Sequence, residues 1–99
     1  MADPRIHPTV NSNDIFATVG VASAIVLAAN PRRVDCDFTN TSENTIYLAR
    51  NNIAVIGSGI PLNPLGGTYH MGTNNLFNGP IYAIATGANS NLAISEGYV

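Results

Sequence analysis

From Asp14 onward, turn chemistry interrupts the chain about every dozen residues, and this spacing limits the fold more than any other feature. The signals are Asn30-Pro31, Asn51-Asn52, Gly57-Ser58-Gly59, Asn63-Pro64, Gly66-Gly67 and Asn78-Gly79-Pro80. Helices of ordinary length, about eleven residues, do not fit comfortably between them. Short apolar runs bounded by such turns predict an all-β sandwich or barrel.

The runs themselves carry strand periodicity. From Arg33 to Thr39, Val34, Cys36 and Phe38 alternate with Asp35, Asp37 and Thr39. Thr45 to Arg50 and Leu92 to Glu96 alternate in the same way. Ile81 to Thr86 is apolar on both faces, which marks a central strand or an interface. Weaker strands are expected at Ile15–Val19, Ile53–Ile56, Gly59–Leu62 and Thr68–Met71. Val21–Ala29 is ambiguous: its alanines favour helix, and its branched residues favour strand. We read Ala24–Ala28 as strand, closed by Asn30-Pro31. The expected core is Ile15, Val26, Val34, Cys36, Phe38, Ile46, Leu48, Ile84, Leu92 and Ile94.

These runs predict a single small antiparallel β-sandwich or jelly-roll-like barrel of about eight short strands over residues 14–99. Residues 1–13 hold two prolines and little apolar content, and are expected to form an extended N-terminal arm outside the core. The 99 residues leave room for one core only.

Charge excludes several functions. Only 10% of residues are charged, and the net charge is −2. There is no lysine, so neither a nucleic-acid footprint nor a basic membrane-binding face is expected. The most apolar stretch, Val19–Ala29, is too short to span a bilayer as a helix. The N-terminus does not read as a signal peptide, so a soluble, unprocessed product is expected. Thirteen asparagines stand mostly in expected loops, where they suit turns; low charge and many amides also suit packing against copies of the chain.

The reactive residues form no catalytic pattern. Asp35 and Asp37 share one strand face about 7 Å apart, within the range of glycosidase carboxylate pairs. Alternating aspartates are more often a solvated face or a charge-guarded edge. His7 and His70 have no metal-ligand spacing, though His70 repeated about an oligomer axis could form a site with nearby acids. Cys36 lies on the apolar face of its strand and reads as a buried thiol. Asn40-Thr41-Ser42 fits the glycosylation pattern, which without a secretion signal is expected to go unused. Of the adjacent Arg32 and Arg33, one is expected to pair internally, with Glu96 as candidate, tying the last strand to the third. The protein therefore reads as a non-enzyme that binds, assembles or coats.

Several runs carry a resemblance. Ile25-Val26-Leu27-Ala28-Ala29-Asn30-Pro31-Arg32-Arg33-Val34 leads into Phe38-Thr39-Asn40-Thr41-Ser42 and Ile46-Tyr47-Leu48. Gly59-Ile60-Pro61-Leu62 and Gly66-Gly67-Thr68-Tyr69 follow, then Gly79-Pro80-Ile81-Tyr82-Ala83-Ile84-Ala85 and Leu92-Ala93-Ile94-Ser95-Glu96. This order resembles the small β-sandwich virion proteins of tailed bacteriophages, of the head decoration, cement or head-fibre type. The likeness spans about Ile15 to Glu96. It implies a viral structural protein on the outer surface of the capsid, made in the host cytoplasm, with the major capsid protein as partner. It implies a homo-oligomer, with a trimer favoured, and no cofactor or metal. On that reading the arm residues Asp3, Pro4, Arg5, Ile6, His7 and Pro8, together with Tyr82, form the capsid or subunit interface. The alternative is a receptor- or glycan-binding module of a tail or fibre, with Tyr47, Tyr69 and Tyr82 as stacking surfaces.

Overall fold

The structure, a computed structural model, describes residues 11–99. The arm residues Asp3, Pro4, Arg5, Ile6, His7 and Pro8 lie outside the described residues. Eight strands follow one another: β1 (Asn11–Val19), β2 (Ala24–Leu27), β3 (Arg33–Asn40), β4 (Ile46–Arg50), β5 (Ile60–Leu62), β6 (Gly67–Met71), β7 (Ile81–Ala85) and β8 (Ser90–Tyr98). They form two four-stranded sheets, ordered β1-β8-β3-β6 and β2-β7-β4-β5, with every pairing antiparallel.

The order has a simple generator. β4 pairs β5, β3 pairs β6, β2 pairs β7 and β1 pairs β8. The chain is one long hairpin, folded at the 51–59 loop and wound on itself. Pairings β3–β8 and β4–β7 then join the ribbon into two sheets. This is the jelly-roll arrangement, the more specific of the two architectures expected.

The sheets pack around Leu27, Cys36, Phe38, Ile46, Leu48, Leu62, Met71, Ile81, Ala83, Ala85, Leu92 and Ile94, all buried. β3 shows the underlying rule: Cys36 and Phe38 face inward, while Asp37 on the opposite face is exposed. β7 reverses one expectation. Ile81, Ala83 and Ala85 face the core, and Ile84 shares the outer face with Tyr82. Its register explains this, because Leu48 stands opposite Ala83 and Ile46 opposite Ala85. Large residues on β4 are matched by small ones on β7. Ile15 was expected in the core but is 39% exposed, because β1 is an edge strand. Val26 is partly buried against the core.

Two boundaries also differ from expectation. Asn11, Ser12 and Asn13, assigned to the arm, pair with Tyr98, Gly97 and Glu96 as the start of β1. Ile53–Ile56 is not a strand but part of the loop joining β4 to β5. The loop returns through Gly59 (φ 83°), where a Cβ would collide with the Leu48 carbonyl oxygen, so only glycine fits.

Candidate functional site

The outer face of the first sheet brings together polar residues from four strands. Asp14 on β1 pairs with Ser95 on β8, Ser95 with Asp37 on β3, and Asp37 with His70 on β6. Ser95 Oγ donates to Asp14 Oδ1 at 2.5 Å, and His70 Nδ1 lies 2.5 Å from Asp37 Oδ1. The row contains serine, histidine and aspartate without a nucleophile–base contact. Ser95 gives its proton to Asp14, and His70 stands two strands away, roughly 10 Å. Asp37 and His70 are both well exposed, so the solvated-face reading of Asp37 holds. Its alternative, a charge-guarded edge, does not, because β3 lies between β8 and β6. Among the described residues no three metal-binding side chains cluster. The row was invisible in the sequence because its members meet only through strand register.

Cys36 is buried. Burial pushes its thiol up from 9.0 to about 12, against the lowering influence of Arg33; Glu96, Asp37 and Asp35 add to the rise. A thiol held neutral is a core residue rather than a nucleophile. The folded thiol keeps its proton while the unfolded one releases it near 9.0, so the stability this provides is complete below pH 9 and is lost as pH rises towards 12. At about pH 10.5 the loss amounts to about 2 kcal/mol. Urea titrations at neutral and alkaline pH should therefore show a steeper alkaline loss in the wild type than in Cys36→Ala. Equal slopes would contradict the assignment.

Arg33 pairs with Glu96, as its place at a strand start suggested. Both are buried, with Nε 2.6 Å from Glu96 Oε2. Arg33 Nη1 donates to the carbonyls of Phe77 and Gly79 at 2.7 and 3.1 Å, and Nη2 to that of Ala28 at 2.6 Å. Asn30 Nδ2 donates to the same Glu96 oxygen at 3.3 Å. One guanidinium thus ties β3, β8 and two loops together, and its role is architectural.

The second sheet presents a different outer surface. Tyr82 and Ile84 on β7 lie beside Ala49 and Tyr47 on β4 and Ile25 on β2. Tyr82, the one expected interface residue that the structure describes, is half-buried there. Tyr69 is not on this surface; it stacks on Phe38, with ring centroids 6.3 Å apart, and packs against the core. At the hairpin tip, Ala54 is buried and its N–H donates to Ser23 Oγ at 2.8 Å. The 51–59 loop therefore reaches over to the entrance of β2. Around that contact Ile53, Val55, Ile56, Val21 and Ile25 are exposed, Ile53 by 73%. On β1, Ile15 is partly exposed at the sheet edge, while Phe16, 70% exposed, alternates with it onto the outer face of the first sheet, the face that carries Asp14. Of the large apolar side chains exposed among the described residues, Phe16 and Leu65 lie elsewhere. No charged residue occurs from Ile15 to Pro31 or from Asn51 to Met71.

The site so defined is an aliphatic surface along one side of a jelly roll, with Arg50 in the lining of its groove. A groove of about 370 Å³ lies between the tip loop and β4–β5. The double-sided pattern of β7 suggested Tyr82 as an interface residue, and the structure places it half-buried on the outer face of β7. Nothing in the sequence pointed to Val21, Ile53, Val55 and Ile56, which the hairpin tip brings near the start of β2. No helix among the described residues is long and apolar enough to cross a membrane. No protein-family model matches the chain, and comparison with curated proteins and with solved structures finds no match.

Proposed function

We propose that the protein is a capsid decoration or cement subunit, which binds the outside of a phage head as a symmetric oligomer and stabilises it. The observation that carries this reading is the concentration of exposed aliphatic side chains on one side of the sandwich. Contiguous apolar surface of this kind favours protein partners. Jelly rolls serve both viral coats and lectins, so the fold alone does not choose between the readings. Tyr47 and Tyr82 leave the glycan-binding alternative two aromatic surfaces, whereas Tyr69 is committed to the core.

The mechanism is mass action. A subunit that binds only the assembled lattice stabilises it in proportion to its occupancy, and repeated identical contacts raise the avidity. The arm supplies the segment that orders on the capsid. Its boundary is now residue 10, because residues 11–13 belong to β1. The full chain should cosediment with purified undecorated phage heads, and a chain lacking residues 1–10 should stay in the supernatant while remaining folded. Equal occupancy by the truncated chain would remove the arm from the mechanism. Absence of any cosedimentation, together with saturable binding on a glycan array, would establish the alternative.

A further inference from the structure

We infer that the open edge of β1 is a pairing site for a second copy of this chain, joining the two β1-β8-β3-β6 sheets into one eight-stranded sheet about a twofold axis. The inference does not depend on capsid binding, since pairing is measured without capsids.

A sheet edge presents unpaired N–H and C=O groups that another strand can satisfy, and natural edges are normally guarded. Three of the four edges here are guarded or short. β2 has four residues and a register slip between Ile25 and Leu27. β5 has three residues, one of them Pro61. β6 has five. β1 is different: nine residues pair with β8 from Asn11 to Val19 without a bulge. It contains no proline, lysine or arginine, and its single charge is Asp14. Among the described residues nothing pairs with its outer edge.

The occupant that fits is the strand itself. An antiparallel pair of identical strands is self-complementary by symmetry. The register that uses all nine residues places Ile15 on the axis, opposite its own copy. Asp14 of one copy then stands opposite Phe16 of the other, so the only charges on β1 do not face each other. Ser12 stands opposite Thr18. Ile15, exposed in the single chain, gains its own copy as an apolar neighbour, and Phe16 gains the other copy's Phe16 diagonally across the pair. This gives a twofold contact, whereas the resemblance to virion proteins implies a trimer.

Light scattering from about 5 to about 500 µM should give twice the 10.4 kDa chain mass. Phe16→Arg and Ile15→Lys, at exposed positions, should halve that mass while far-ultraviolet circular dichroism stays unchanged. Cysteine substitutions test the register. Residues facing across an antiparallel pair have Cα atoms about 4.5–5.5 Å apart, within disulfide reach. Ile15→Cys should oxidise to a covalent dimer. Ser12→Cys alone should not, yet should cross-link when mixed with Thr18→Cys. A monomer at every concentration would overturn the inference, and so would an oligomer whose mass survives both β1 substitutions. A monomer that dimerises only after residues 1–10 are removed would also overturn it, by showing that the chain's own arm occupies the edge.

Discussion

Arg33→Ala should lower the unfolding free energy by about 3–5 kcal/mol, the usual cost of breaking a buried ion pair from one side. The substitution strands the Glu96 carboxylate in a site where it is 5% exposed and removes the donors to Phe77, Gly79 and Ala28. Against a total of about 5–15 kcal/mol for a domain, this is a large fraction. For a domain of this size each kcal/mol shifts Tm by about 4–8 °C, so the melting point should fall by tens of degrees. Glu96→Ala should cost a similar amount, because it strands the guanidinium. The double replacement Arg33→Met with Glu96→Leu should be milder than either single change, since it leaves no buried charge. Urea denaturation of the four proteins checks the pattern. A loss below about 1 kcal/mol in Arg33→Ala would show that the pair is no more than a surface contact.

The second large effect is expected at Asn40, at the opposite end of the sandwich. Its side chain is fully buried and uses every group it has. Nδ2 donates to the carbonyls of Asn44 and Leu62 at 2.7 and 2.9 Å. Oδ1 accepts from the Ser42 backbone at 2.9 Å and from its hydroxyl at 2.7 Å. Asn40→Asp keeps the shape but places an acceptor against two carbonyl oxygens. Each buried polar group left unsatisfied costs about 1–3 kcal/mol, so a loss of about 2–4 kcal/mol is expected. The Leu65 and Gly66 amides, which donate to the carbonyls of Ser42 and Asn40, should exchange faster with solvent. Ser42→Ala, which removes the hydroxyl's contacts with Asn40 Oδ1 and the Asn44 main chain but leaves the Ser42 N–H on Asn40 Oδ1, should cost less than Asn40→Asp. A neutral Asn40→Asp would show that the site admits water.

Asn40 also shows where local sequence reading stops. Asn40-Thr41-Ser42 matches a glycosylation acceptor, yet the nitrogen that would carry the sugar is bonded to Leu62, which lies far along the chain. The asparagine-rich composition has the same explanation. Asn30, Asn40, Asn75 and Asn78 donate to or accept from main-chain groups, and Asn51 and Asn89 take left-handed conformations. β3 was legible because its two faces differ in chemistry. β7 was legible as a strand, but its inward face was not, because Ile81-Tyr82-Ala83-Ile84-Ala85 is apolar on both sides and β4 decides which side is filled. Ile53–Ile56 has the composition of a strand, but it forms the hairpin tip, where the chain turns back from β4 to β5. The Arg33–Glu96 pair could be anticipated from two charges in a nearly uncharged chain. The apolar surface could not, because it is assembled from the β1–β2 and β4–β5 segments.

The concentric hairpin also sets a timetable. Leu48 meets Ile60, Phe38 meets Tyr69, Ile25 meets Tyr82 and Ile15 meets Ile94, so each successive ribbon closes a longer loop than the one inside it. Loop-closure entropy grows with the logarithm of that length, and the rate of non-local folding falls with it. Zipping therefore starts at the tip and ends with β1 on β8, and unzipping runs the other way. The strand that would greet a neighbour arrives last, after the rest of the sandwich has enclosed its core. On the proposed pairing, the dimerising edge exists only once β1 has docked, and until then it is β8 that lies open to another chain.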